Sequence, residues 1–177
     1  MREKTCCFTG HRDIPPAGKE AITRQLENVM IRLVHAGICR FVAGGAIGFD
    51  TLAAQTVLRL RERYPAIKLI LALPYLNQTK RWGESDIALY ETIKEQANEV
   101  VYTYQDYSRG CMHKRNRYMV DSSGICVCYC LRDKGGTAYT VHYAEKKGLT
   151  IIYIAQQLAH NAETPETNGQ NGGKNVG

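Results

Sequence analysis

The chain has 177 residues, 44% of them hydrophobic and 23% charged, which is the balance of a globular domain and excludes a disordered or fibrous chain. No apolar run approaches the roughly 20 residues of a membrane helix, and the apolar stretch after Lys4 is too short for a secretory signal, so a cytoplasmic protein without membrane attachment is expected. Lys and Arg number 23 against 17 Asp and Glu, a net charge of +6; this mild excess suits a phosphate-bearing ligand and falls short of a protein that coats DNA.

Cys6–Phe8 reads as a first strand, closed by Thr9-Gly10-His11-Arg12 and the breaker Pro15-Pro16. Over residues 17–36, Ile22, Leu26, Val29, Met30 and Leu33 recur at helical spacing, and Gly37 stops the helix. Residues 40–43 form a second strand that runs into Gly44-Gly45-Ala46-Ile47-Gly48. A helix follows with Leu52, Ala53, Thr56, Val57 and Leu60 on one face. Residues 67–73 are continuously apolar up to Pro74, which suits a parallel strand buried on both faces. A helix over 84–97, a strand over 99–102, a helix over 111–122 and a strand over 125–130 come next. Gly135-Gly136-Thr137 then opens a helix to Lys147, and a strand over 150–154 closes the sheet. This alternation predicts one parallel α/β sandwich with right-handed crossovers. The domain is expected to span residues 1–158. From about Ala162 the sequence turns to Asn, Gly, Thr and Gln, so residues 159–177 are expected to form a disordered polar tail.

Open α/β sheets bind ligands at the carboxyl ends of their strands. Three strand ends here look suited to that: Thr9 to Arg12, Gly44 to Asp50, and Gly135 to Thr137. Two are glycine-rich and lead straight into helices, where free N–H groups receive anions. Asp50 opens a helix; it either accepts a hydrogen bond from a ribose hydroxyl or serves the helix as a first-turn acid. Neither standard nucleotide motif is met. Gly48 is followed by Phe49 and not by the Lys-Ser/Thr of a P-loop, and Ala43 stands where a dinucleotide fingerprint needs its first glycine.

On the helix over 111–122, Met112, Arg115, Met119 and Ser122 share a face, with Asn116 beside it. A guanidinium among methionines is either aimed at a ligand or paired within the protein. Cys126, Cys128 and Cys130 lie in a row along one strand face and do not converge as a metal site would; no metal and no cofactor is expected. With seven cysteines and no export signal, reduced thiols are expected. Tyr75 to Trp82 reads either as a lid whose aromatic stacks on a base, or as a surface loop whose Trp82 packs on the sheet edge.

Thr-Gly-His-Arg at 9–12, Gly-Gly-Ala-Ile-Gly-Phe-Asp at 44–50, Lys-Arg-Asn-Arg-Tyr-Met-Val-Asp at 114–121 and Gly-Gly-Thr at 135–137 together resemble the YpsA-like branch of the SLOG superfamily. The resemblance covers nearly all of residues 5–155. It implies a Rossmann-like three-layer sandwich with a mostly parallel sheet that binds a nucleotide or an ADP-ribose-like ligand. By that likeness Gly44, Gly45, Gly48, Gly135, Gly136 and Thr137, with Ala46 among them, cradle phosphate, while Thr9, Gly10 and Arg12 line the pocket. Met112-His113-Lys114-Arg115 is similar to a motif of the more distant LOG phosphoribohydrolases, which would make Arg115 catalytic. That group's paired glutamates are replaced here by Val141 and His142, which leaves Asp50 or Asp121 as substitutes for the carboxylate that N-glycoside cleavage wants.

Three readings follow, in order: a nucleotide-binding sensor or regulatory module, a nucleotide N-glycoside hydrolase, and single-stranded DNA binding as in the DprA relatives. Whether the chain is an enzyme stays open. Nucleic acid is the less favoured partner because the basic residues are scattered, and a homo-oligomer is compatible with all three.

Overall fold

The computed structural model describes residues 1–163. After a single 3-10 turn at Arg2–Lys4, strands and helices alternate: β1 (Thr5–Gly10), α1 (Pro16–His35), β2 (Arg40–Ala43), α2 (Phe49–Arg63), β3 (Lys68–Leu73), α3 (Glu84–Gln96), β4 (Glu99–Tyr102), α4 (Cys111–Asp121), β5 (Ile125–Tyr129), α5 (Gly136–Lys146), β6 (Thr150–Tyr153) and α6 (Ile154–Glu163). The six strands form one sheet in the order β4-β3-β2-β1-β5-β6, with every pair parallel.

The strands lack polar alternation because both faces of the sheet are covered. Cys6 and Phe8 of β1, Phe41 and Ala43 of β2, and Leu69, Leu71 and Leu73 of β3 pack toward α1, α2, α3 and α6. Their intervening neighbours Cys7, Val42, Ile70 and Ala72, with Cys126 and Cys128 of β5, pack toward α4 and α5. Phe8 and Phe41 stack across adjacent strands with centroids 6.1 Å apart, and each such buried ring contributes about 1.5–3 kcal/mol. The helix after Pro15-Pro16 starts one residue sooner than the apolar pattern suggests, because Pro16 fits the first helical turn, where no N–H is needed. All seven cysteines are free. No helix among the described residues is long and apolar enough to cross a membrane.

The last element departs from the expected pattern. Ile154 does not end the final strand but begins α6; it is fully buried, and Ala155 and Leu158 pack on the same core. This short apolar set has helical spacing, interrupted by Gln156 and Gln157. Gln157 faces inward to α1, where its Oε1 accepts from Gln25 Nε2 at 2.6 Å. The helix runs beyond the expected domain end at residue 158. Residues 164–177 of the expected polar tail lie outside the described residues.

Candidate ligand site at the carboxyl end of the sheet

Strands β1 to β4 are laid down outward in one direction, and the chain then returns to place β5 on the other flank of β1. The carboxyl ends of β1 and β5 therefore border a topological switch point, the crevice where open α/β sheets receive ligands. A cavity of about 270 Å³ opens there. Its walls bring together Thr9, Gly10 and Arg12 from the end of β1, Ala46 and Asp50 from the turn into α2, Arg115 and Asn116 from α4, and Gly136 and Thr137 from α5. Gly44, Gly45, Gly48 and Gly135 stand outside that wall.

The two glycine loops differ in what their glycines do. A Cβ on Gly44 would lie 2.6 Å from Asp50 Oδ2 and would also collide with the Arg115 guanidinium. Gly48 has φ +83°, and a Cβ there would sit 2.6 Å from the Arg12 Cα. This loop is packed solid against its neighbours. Two of its donors are already engaged: Ala46 N–H donates to Asp50 Oδ2 at 3.4 Å, and the Phe49 N–H donates to the His11 carbonyl at 3.1 Å. At the other loop, Gly135 has φ +103°, and a Cβ on Gly136 would meet nothing within 4 Å. No side chain caps the N-terminus of α5. Its first-turn N–H groups, which have no intrahelical acceptor, open beside the cavity.

Arg115 is buried, as its place on the methionine face suggests. Its Nη1 donates to the Gly44 carbonyl and its Nε donates to Asn116 Oδ1 at 2.8 Å. Asn116 in turn donates from Nδ2 to Thr140 Oγ1 at 2.8 Å, tying α4 to α5. The guanidinium is thus anchored while still lining the cavity. Burial lowers its pKa from the ordinary value; Asp50 opposes that shift and Arg12 adds to it. Asp50 is also buried, and loss of hydration raises its pKa. Arg115, the Ala46 and Gly44 N–H groups and Arg12 all work against that rise.

Two further residues, His11 within the Thr9-to-Arg12 motif and Arg132 outside any motif, join the expected ones in the cavity wall. His11 Nε2 accepts the Leu131 N–H at 2.8 Å, a bond that requires the neutral ring. Its pKa is lowered by burial first and by the nearby Arg132 second. Arg132 itself lines the cavity, as Arg12 does. The available signal was positional: both follow strands at the switch point.

The residues that replace the hydrolase glutamates lie away from the cavity. Val141 is in the core, and the side chain of His142 is 77% exposed beside Glu145. Asp121 is held at the far end of α4 by Lys147 at 3.3 Å and by the Tyr143 hydroxyl at 3.1 Å. Among the described residues, Asp50 and Asp13 bring carboxylates to the cavity wall.

A second cavity of about 730 Å³ adjoins the first, and the two share Arg12 and Met112. Trp82 lines this outer space but packs edge-on against Tyr90 at 5.5 Å. The ring is thus held by helix α3 and not by the sheet edge, while still lining the outer space.

A six-stranded, doubly wound, all-parallel sheet with this strand order defines a Rossmann-like fold. The YpsA profile, described as the YspA SLOG family, matches residues 11–161, and the chain belongs to that family. Among relatives, it is 31% identical over 131 residues to the SPbeta prophage-derived protein YoqJ of Bacillus subtilis, covering 67% of this chain and 74% of that one. It is 28% identical over 140 residues to the UPF0398 protein YpsA of the same organism, covering 75% and 78% respectively. The fold is similar to that of DNA processing protein A from Helicobacter pylori, in a structure described by its single-stranded DNA binding mode. The TM-score is 0.61 at 16% identity, covering 91% of this chain and 74% of that one. It is also similar to DNA processing protein A from Streptococcus pneumoniae, with TM-score 0.61 at 13% identity; there the chain spans 90% of its own length but 56% of the other.

Proposed function

We propose that the chain binds a nucleotide or ADP-ribose-like ligand in the inner cavity and acts in the cytoplasm as a sensor or regulatory module. The observation that carries this reading is the uncapped N-terminus of α5 opening, with no side chain at Gly136, onto a cavity flanked by Arg12 and Arg132. Helix N-termini and guanidinium forks are complementary to phosphate. Thr9 and Asn116 supply polar groups for a sugar. The buried Asp50 and Arg115 form part of the cavity wall, and the glutamate pair of the LOG group is replaced by Val141 and His142 away from the cavity, which favours binding over turnover. All these groups come from one chain, so the reading does not depend on an oligomer.

Thermal unfolding with AMP, ADP-ribose and NAD tests it. Ligand at about 100 times its Kd adds about 2.7 kcal/mol, a rise of about 5–11 °C for a chain of this size. Absence of any shift across the panel would refute the nucleotide reading.

The likeness to a single-stranded DNA-binding structure, together with Lys80, Arg81 and the exposed Tyr107 around the outer cavity, favours single-stranded DNA as the second reading. An oligonucleotide affinity that falls steeply with salt, with no response to mononucleotides, would select it.

A further inference from the structure

The outer cavity has its own chemistry. The rings of Tyr75 and Tyr107 meet edge to face at 5.6 Å, and Tyr107 is 71% exposed, a large aromatic kept at the surface. Ile47 and Met112 add apolar wall, while Lys80, Arg81 and Asp106 supply hydrogen-bonding groups. Gln78, which also lines the space, is itself buried and donates from Nε2 to the Gly45 carbonyl at 3.0 Å. The segment after β3 is therefore pinned to the turn before α2 and does not hang free.

We infer that this outer cavity is a base-recognition subsite, taking the heteroaromatic ring of a nucleotide whose phosphate lies in the inner cavity, with the sugar crossing between Arg12 and Met112. The inference rests on the assignment of phosphate to the inner cavity. Its own support is separate: the aromatic lining of the outer cavity and the boundary at Arg12 and Met112 that the two cavities share. Tyrosine faces attract any base, and Asp106 accepts from an exocyclic amino group. Ribose 5-phosphate would fill the inner cavity alone.

The chain has one tryptophan, and it lines the outer cavity, so its emission reports on that space. Wild type and Tyr107→Ala are titrated with AMP and with ribose 5-phosphate, by calorimetry and by Trp82 fluorescence. Tyr107 is exposed enough that its removal spares the fold. The expected result is that both ligands bind wild type but only AMP changes Trp82 emission, and that Tyr107→Ala weakens AMP about tenfold while leaving ribose 5-phosphate unchanged. AMP binding without an emission change and indifferent to Tyr107→Ala would place the base elsewhere and overturn the subsite alone. Failure of both ligands to bind wild type would overturn the phosphate assignment, and the subsite with it.

Discussion

Replacing Gly44 by alanine is a sharp perturbation of the site, because Gly44 itself does not line the cavity, while the added methyl presses on two buried charges that do. The new Cβ would sit 2.6 Å from Asp50 Oδ2, about 0.8 Å inside ordinary contact, and would also meet the guanidinium that donates to the Gly44 carbonyl. Both groups are buried, at 7% and 6% exposure, and the guanidinium is tied to the Gly44 carbonyl and to Asn116. Overpacking of this kind costs about 1–3 kcal/mol. Loss of a hydrogen bond from a charged donor costs about 1.5–3 kcal/mol more. A net loss of about 3 kcal/mol is expected, which lowers the Tm by about 6–12 °C for a chain of this length. Gly136→Ala is the matched control: its Cβ meets nothing within 4 Å, so its stability should stay within about 0.5 kcal/mol of wild type. Urea unfolding followed by circular dichroism measures both. Equal tolerance at the two positions would refute the claim that one glycine loop is packed and the other open.

Arg115→Met strands Asp50, because Arg115 is the strongest of the influences holding that carboxyl's pKa down. The variant should lose about 3 kcal/mol at neutral pH. An acid with a raised folded-state pKa binds a proton that the unfolded chain has shed, so the loss should deepen as pH rises above the ordinary carboxyl value; adding Asp50→Asn should remove that slope. Denaturant unfolding at about pH 5 and pH 8 checks it, and a flat difference would count against the pairing. His11 has the opposite sign: its lowered pKa means that the folded state favours the neutral ring, so its contribution is present above the ordinary histidine value and is lost as pH falls through the folded pKa. A Tm that drops on acidification below about pH 6.5 in wild type, and less so in His11→Ala, is the expected outcome.

Much of the fold was legible because the strands are apolar on both sides and the helices carry clear apolar faces, as at Ile22, Leu26, Val29 and Leu33. The turn from Ile154 into α6 was hidden by two glutamines, one of which is recruited by Gln25, a tertiary partner that periodicity cannot foresee. The site was half legible. The spacing of Met112, Arg115 and Met119 told that the arginine points inward, but its acceptor, the Gly44 carbonyl, lies 71 residues away. Gly44 and Gly136 look alike in the sequence. One is glycine because a guanidinium and a carboxylate crowd it, and the other leaves the space empty. The role of His11 within its motif, and Arg132 altogether, could not be read from the sequence because both depend on β1 and β5 being neighbours, a matter of strand order.

The most direct test of the anion site is Gly136→Asp. The position has room for a side chain, and a carboxylate in the first turn of α5 gains about 0.3–1 kcal/mol from the helix dipole while occupying the space assigned to phosphate. The variant should therefore melt slightly higher than wild type, by about 1–4 °C, and lose its thermal response to AMP and ADP-ribose. A stabilised variant that still binds these ligands as wild type does would contradict the assignment of phosphate to the N-terminus of α5.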